Sequence, residues 1–220
     1  MDAYLKKLRK DGIEKWNNWS VSKTDDNLYR FATIIISVHK IRTDIIDADI
    51  DLLSKLIASN ITKFKRAFTT TVKDIGKVSW RGTFELEPMC MINARYRDKK
   101  GTIRAISGVD IDALSNDERI IVLHIHMLVY GESILVATEL LKQKYYYVNQ
   151  VDCRSVPRTG QTLEQAIDNI TDYCFKFKFE YAYTDANNNT KFINKVEPEM
   201  DNVLTRIYNS INISYDRNEL

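Results

Sequence analysis

Cysteine, glycine and proline are scarce in this chain, and each scarcity excludes a class of protein. Three cysteines without paired spacing argue against a disulfide framework and favour a reducing compartment. Seven glycines and three prolines in 220 residues leave no room for a low-complexity linker. The charge balance, 32 Lys and Arg against 30 Asp and Glu, is too even to indicate a polyanion partner by itself. Any basic surface must therefore come from the arrangement of residues.

Long apolar runs are also missing. No stretch approaches the roughly 18 apolar residues of a membrane-spanning helix, and the charged N-terminal segment lacks the apolar region of a signal peptide. We therefore expect a cytoplasmic protein. The length suits a single domain over residues 1–220. We divide it into an N-terminal helical extension (1–30), a core (31–183) and a C-terminal helix (184–220).

Hydrophobic periodicity predicts an alternation of helices and strands. Helices are predicted over residues 4–18, 47–68, 134–144, 163–173 and 197–211, and strands over residues 31–39, 79–96, 119–130, 145–151 and 175–183. The central order is strand, helix, strand, strand, helix, strand. This is the ferredoxin-like split βαβ pattern, an antiparallel sheet with helices on one face. The predicted fold class is therefore α+β, with an additional helix at each end.

Histidine is also rare, and two of the three histidines lie two residues apart. His124 and His126 flank Ile125 inside an apolar, β-branched run, whereas His39 stands alone. Residues i and i+2 of a strand point to the same side, so both imidazoles project from one face of the sheet. The pair is either a chance occurrence in a half-exposed strand or two ligands of one metal ion.

A metal site needs a third donor, and the preceding predicted strand offers two. Glu85 and Glu87 share one face by the same alternation, and strand pairing can bring one of them beside the histidines. Two imidazoles and one carboxylate form a site that leaves coordination positions open for water or a substrate oxygen. The alternative for these glutamates is a solvated face with Phe84 and Leu86 turned inward.

C-terminal to the histidine pair, a tyrosine and a lysine lie three residues apart in the sequence. On a helix, Tyr173 and Lys176 lie along one face, where the ammonium can stabilise a phenolate or a phosphate. Taken alone, this spacing is common by chance.

In chain order, these motifs resemble the HUH endonuclease superfamily, specifically the rolling-circle replication initiators of plasmids and phages. The resemblance covers residues 31–180, and its most specific part is the run LHIHMLV at residues 123–129. Gly82 followed five residues later by Glu87 resembles the acidic strand of some initiators, which favours Glu87 over Glu85 as the third ligand. A tyrosine that follows the histidine motif fits initiators and small HUH transposases better than conjugative relaxases.

The resemblance implies a metal-dependent nicking and joining enzyme for single-stranded origin DNA. His124, His126 and a glutamate would hold Mg²⁺ or Mn²⁺, and Tyr173 would attack the scissile phosphate to form a 5′-phosphotyrosine. Lys176 would assist the tyrosine, which otherwise titrates near pH 10.

The chain has no Gly-rich phosphate-binding loop, so a separate helicase and polymerase would be partners. The DNA would contact a basic group, favoured here at Arg95, Arg97, Lys99, Lys100 and Arg104.

Two alternatives remain at this point. If the strand predicted at 175–183 begins as early as Tyr173, the tyrosine and Lys176 point to opposite faces, and Tyr145, Tyr146 or Tyr147 becomes the nucleophile. At the level of function, the alternatives are an HUH transposase, or a catalytically inactive nucleic-acid-binding protein on the same fold.

Overall fold

The computed structural model describes residues 3–21, 28–45, 47–73, 75–76, 78–89, 100–157, 160–175, 180–184, 190–211 and 214–217. The helices are α1 (Ala3–Val21), α2 (Asp47–Val72), α3 (Lys100–Ser107), α4 (Ile134–Lys144), α5 (Leu163–Cys174) and α6 (Pro198–Ser210). The strands are β1 (Tyr29–Arg42), β2 (Ser79–Met89), β3 (Glu118–Tyr130), β4 (Val151–Val156), β5 (Glu180–Thr184), β6 (Thr190–Lys195) and β7 (Ser214–Arg217). None of the described helices is both long and apolar enough to cross a membrane.

The main sheet is antiparallel and has the strand order β4-β1-β3-β2-β7. Strands β1 and β3 form its centre, and β4 and β2 flank them, which is the arrangement of a split βαβ unit. Strands β5 and β6 form a separate two-stranded sheet. The predicted ferredoxin-like α+β class is therefore confirmed.

Helix α2 packs on one face of the main sheet because its apolar residues recur every three or four positions. Ile57, Ile61 and Phe64 are buried, and the Phe64 ring lies 5.9 Å from that of Phe84 on β2. Helix α4 contacts α2, so the two helices of the split βαβ unit lie on the same face, as predicted. Helix α6 also contacts α2, and its Arg206 pairs with acidic residues in the first turns of α2.

The opposite face of the sheet is covered at its two ends. At one end, Ile103 of α3 belongs to a small apolar cluster with Ile120 and Val122 of β3. At the other end α1 contacts α5, with Trp16 packed edge-on against Phe175 at 5.4 Å. Both histidines of the predicted metal site lie on the stretch of β3 between these ends.

Two strand predictions were wrong in position. Of the strand predicted over residues 145–151, residues 145–150 form a turn, and the strand, β4, begins only at Val151. Asn149 has φ = 60°, a left-handed conformation that interrupts an extended strand. The strand predicted from Phe175 is also wrong at its start, because Phe175 ends α5 and is buried against Trp16. Strand β5 begins at Glu180, and residues 176–179 lie outside the described residues.

The connection between β2 and β3 contains a helix that periodicity did not predict. Strand β2 is described to Met89, residues 90–99 lie outside the described part, and α3 follows. Of the favoured basic group, only Lys100 and Arg104 are therefore described, and Lys100 pairs with Asp112.

Candidate metal centre and neighbouring tyrosine

Strand register brings the two histidines together with one glutamate. His124 lies opposite Glu85 in the β2–β3 ladder, and His126 lies between Thr33 of β1 and Thr83 of β2. His124 and His126 are 3% and 1% exposed. Ile125, which points to the other face, packs in the core with Phe84 and Ile34. The alternation of β3 therefore holds both imidazoles in a fixed orientation.

The donor atoms of these three residues converge on one point. Oε2 of Glu85 lies 2.6 Å from Nε2 of His126 and 3.3 Å from Nε2 of His124. All three ligand atoms lie within 4.8 Å of one another, so Glu85, His124 and His126 could hold a metal ion.

The two donor separations that involve Glu85 are close to those around a divalent cation. Donors about 2.1 Å from a metal in octahedral geometry are about 3.0 Å apart when adjacent. The separations of 2.6 and 3.3 Å from Glu85 lie on either side of this value. Two imidazoles with one carboxylate suit several divalent first-row metals, so the donor set does not select one.

Neighbouring side chains orient His126. Oγ1 of Thr33 lies 2.9 Å from Nδ1 of His126, so Nδ1 is engaged on the side away from Glu85. The Phe31 ring stacks on the imidazole with centroids 5.7 Å apart. Metal-binding histidines commonly have such a partner on the second nitrogen, which fixes the tautomer and leaves Nε2 for the ion.

Glu87 lies beside the group, near His124. Its Oε2 is 3.8 Å from Nε2 of His124, compared with 3.3 Å for Glu85. The sequence analysis favoured Glu87 as the third ligand, whereas the structure brings Glu85 into the three-residue group. His39 faces the other way: its imidazole contacts Ser37 and Asn60 of α2.

Tyr173 lies directly against the metal-ligand group. Helix α5 continues to Cys174, so Tyr173 is a helical residue and does not begin a strand. Its ring lies 5.1 Å from the His126 ring and 6.5 Å from the Phe31 ring, both edge-on, and the residue is 53% exposed. Lys176, the predicted assistant of this tyrosine, lies outside the described residues.

The start and the end of α5 both hold it in place. At its start, Thr162 and Gln165 form a reciprocal capping box. At its end, Cys174 and Phe175 are buried, and burial raises the pKa of the Cys174 thiol well above its ordinary value. This cysteine is therefore a core residue and carries no charge at neutral pH.

The alternative tyrosines occupy the turn between α4 and β4. The Tyr145 ring packs 5.8 Å from Phe64 of α2, on the face opposite the histidines. Tyr146 and Tyr147 pack against each other, with ring centroids 4.6 Å apart. In the described structure, Tyr173 is the tyrosine whose ring contacts His126.

Sequence reasoning missed two polar residues beside this tyrosine. Asp152 and Arg154 of β4 pair with Thr33 and Phe31 of β1, which places both on the face that carries His126. Asp152 and Arg154 are two residues apart on one strand, as Glu85 and Glu87 are, and this spacing predicts that they share a face. The predicted strand ended at residue 151, so the sequence analysis did not include either residue in a strand.

Comparisons with models of protein families, with curated proteins and with solved structures found no match to this chain. The assignment of a function therefore depends on the site.

Proposed function

We propose that this protein nicks and rejoins single-stranded DNA by metal-dependent transesterification, with Tyr173 as the nucleophile. The observation that carries the proposal is the contact of Tyr173 with His126, at 5.1 Å between ring centroids, beside the group of Glu85, His124 and His126. A tyrosine, two histidines and a carboxylate at this spacing are the components that such a reaction requires. Their order along the chain resembles that of rolling-circle replication initiators.

The exposure of each component supports the assignment. The ligands are held rigidly, because both histidines are almost fully buried within the sheet. Tyr173 is half exposed and lies on the wall of an open cavity, where a DNA strand can reach it. A tyrosine that served only the core would be buried, as Tyr29 and Tyr208 are.

The reaction exchanges one phosphoester for another. The phenol oxygen of Tyr173 attacks the phosphorus and loses its proton, the bond from phosphorus to the 3′ oxygen breaks, and the leaving 3′ oxygen takes up a proton to become a 3′-OH. A divalent ion held by Glu85, His124 and His126 would neutralise phosphate charge and orient the phosphate for in-line attack. The new ester keeps the energy of the broken one, so the same tyrosine can reseal the strand.

The test is covalent capture on a pool of single-stranded oligonucleotides with a randomised central segment. The pool avoids the need to know the cut site. With Mn²⁺ present, the protein should form an SDS-stable adduct, and sequencing of the captured strands should show a preferred site. A phosphotyrosyl-DNA peptide at Tyr173, identified by mass spectrometry, and a 3′-OH that a polymerase can extend are the expected products.

The matched pair of variants is Tyr173→Phe and Tyr147→Phe, because Tyr147 is a partly exposed tyrosine of the turn before β4 whose ring packs against Tyr146. Tyr173→Phe should abolish the adduct and Tyr147→Phe should leave it unchanged. An adduct that persists in Tyr173→Phe contradicts the assignment of the nucleophile. Binding of the pool without any adduct favours the inactive DNA-binding alternative, and an adduct restricted to the ends of a mobile element favours a transposase.

A further inference from the structure

A cavity of about 440 Å³ opens between β4 and α5, directly beside the metal-ligand group. His126, Thr33 and Tyr173 form the part of its wall nearest that group. The remaining wall combines apolar and polar side chains, among them Phe31, Ile170, Asn169 and Arg154. A volume of this size suits a ligand as large as a nucleotide.

Arg154 is the one cationic side chain among the described residues that line this cavity. It lies opposite Phe31 in the β1–β4 ladder, so its side chain leaves the same face as His126. Tyr173 of α5 lines the same cavity as Arg154. The cation therefore lies beside the tyrosine, on the side away from Glu85.

Asp152 holds the guanidinium in position. Its Oδ2 lies 2.6 Å from one terminal nitrogen of Arg154, and the two side chains are 40% and 55% exposed. A guanidinium has five N–H donors, and one carboxylate oxygen engages only part of them. An exposed pair of this kind adds little to stability, so a phosphate can compete with Asp152 for the guanidinium at little energetic cost.

We propose that Arg154 binds a backbone phosphate of the DNA strand in the cavity between β4 and α5, next to the phosphate that Tyr173 attacks. The inference deepens the proposed function, since it assigns the strand's path beside the metal site. The planar fork of arginine suits two oxygens of one phosphate. The apolar wall at Phe31 and Ile170 suits the sugar or base of the same nucleotide.

The test measures binding without cleavage. A fluorescein-labelled 20-nucleotide single strand of mixed sequence is titrated with the full-length protein in EDTA at several salt concentrations. Log K falls as log salt rises, and loss of one phosphate contact on a single strand lowers the magnitude of this slope by about 0.7. Arg154→Gln should show this reduction and about a 10-fold weaker binding at low salt, and Arg154→Lys should keep the slope while restoring only part of the affinity.

Arg42→Gln is the matched control. Arg42 is similarly exposed at 62% and also pairs with aspartate, but it lies at the opposite end of β1. It should leave the slope unchanged. Circular dichroism melts of all variants establish that each one folds.

The outcomes separate this inference from the proposed function. If Arg154→Gln keeps the wild-type slope, or if Arg42→Gln lowers it equally, Arg154 makes no specific phosphate contact and the inference is overturned. Equal slopes for Arg154→Lys and Arg154→Gln overturn it as well, since the charge would then not matter. An altered slope without any adduct in the capture assay keeps the inference and removes the catalytic proposal. Adduct formation with an unaltered slope does the reverse. A wild type that binds no single strand in EDTA overturns the inference, and the capture assay with Mn²⁺ then decides the proposed function by itself.

Discussion

Oε2 of Glu85 and Nε2 of His126 face each other at 2.6 Å across the β2–β3 ladder. A carboxylate oxygen and an imidazole nitrogen this close repel each other unless a proton or a cation lies between them. His124 directs its Nε2 at the same oxygen from 3.3 Å. The cluster is thus arranged around a position for positive charge, and a divalent ion can replace the proton there.

Divalent metal should stabilise the fold through these ligands. At a free Mn²⁺ concentration 100 times the dissociation constant, the free energy of unfolding should rise by about 2.7 kcal/mol. His124→Asn should abolish this increase, whereas His39→Asn should retain it, because His39 contacts Ser37 and Asn60 instead. Urea unfolding with and without Mn²⁺ measures the effect, and equal stabilisation of both variants would place the ion elsewhere.

The two glutamates should differ in their contribution to Mn²⁺ affinity. Glu85→Gln removes the carboxylate that reaches both histidines and should abolish Mn²⁺ binding in calorimetry. The Glu87 carboxylate lies 3.8 Å from Nε2 of His124. Glu87→Gln should therefore weaken Mn²⁺ binding by less than 10-fold, which corresponds to less than about 1.4 kcal/mol. The opposite ranking would restore Glu87 as the third ligand.

The threonines on either side of His126 offer a second matched pair. Thr33→Val removes the hydroxyl 2.9 Å from Nδ1 and should lower metal affinity about 10- to 100-fold, since such partners orient the ligand. The Thr83 hydroxyl is buried and has no hydrogen-bond partner among the described residues, so Thr83→Val should leave the affinity unchanged. Calorimetry with Mn²⁺ compares them, and equal losses would show that packing around the imidazole, and not the Thr33 hydrogen bond, sets the affinity.

The fold and the histidine pair could be predicted because both depend on local periodicity. Strand β3 is a long apolar run whose alternation turns His124 and His126 to one side, whatever the strand pairs with. The order of strands and helices then indicates the split βαβ unit. Helix α4 was predicted with its observed bounds, since its apolar positions repeat at helical spacing.

The remaining site residues depend on pairing between distant strands, which periodicity does not fix. Glu85 and Glu87 alternate in the same way, and only the register of β2 against β3 places Glu85 opposite His124. The connection between β2 and β3 does not fix that register either, because it includes α3, a helix that the sequence analysis did not predict. Thr33 and Arg154 reach the site through the pairing of β1 with β3 and β4.

Acid should destabilise the protein partly through Glu118. The hydrogen bond from Lys40 and those from Ser115 lower the Glu118 pKa from 4.5 to about 2. Between these values the unfolded chain binds more protons than the folded one, so stability is complete above about pH 4.5 and is lost as the pH falls toward 2. Glu118→Gln should flatten this part of the stability curve, measured by urea unfolding from pH 6 to pH 2. An unchanged acid limb in the variant would contradict the contribution of this carboxylate.

Two helical glycines should respond to alanine in opposite directions. A Cβ at Gly12 of α1 would lie 2.2 Å from the Phe175 ring, which Trp16 also contacts, whereas a Cβ at Gly101 of α3 would meet nothing within 4 Å. Alanine improves helix propensity by up to about 1 kcal/mol, but overpacking costs about 1–3 kcal/mol. Gly101→Ala should therefore stabilise the fold slightly, and Gly12→Ala should destabilise it by about 1 kcal/mol in urea unfolding.

Gly12→Ala should also slow adduct formation at temperatures where the variant is fully folded. Phe175 follows Tyr173 by two residues at the end of α5, so a displaced ring shifts the tyrosine relative to His126. Displacements of about 1 Å at a nucleophile can reduce rates by 100-fold. A single-turnover assay with Mn²⁺ measures the rate, with Gly101→Ala as the control at the wild-type value. A Gly12→Ala variant that is less stable but reacts at the wild-type rate would show that the α1–α5 contact supports the fold without positioning Tyr173.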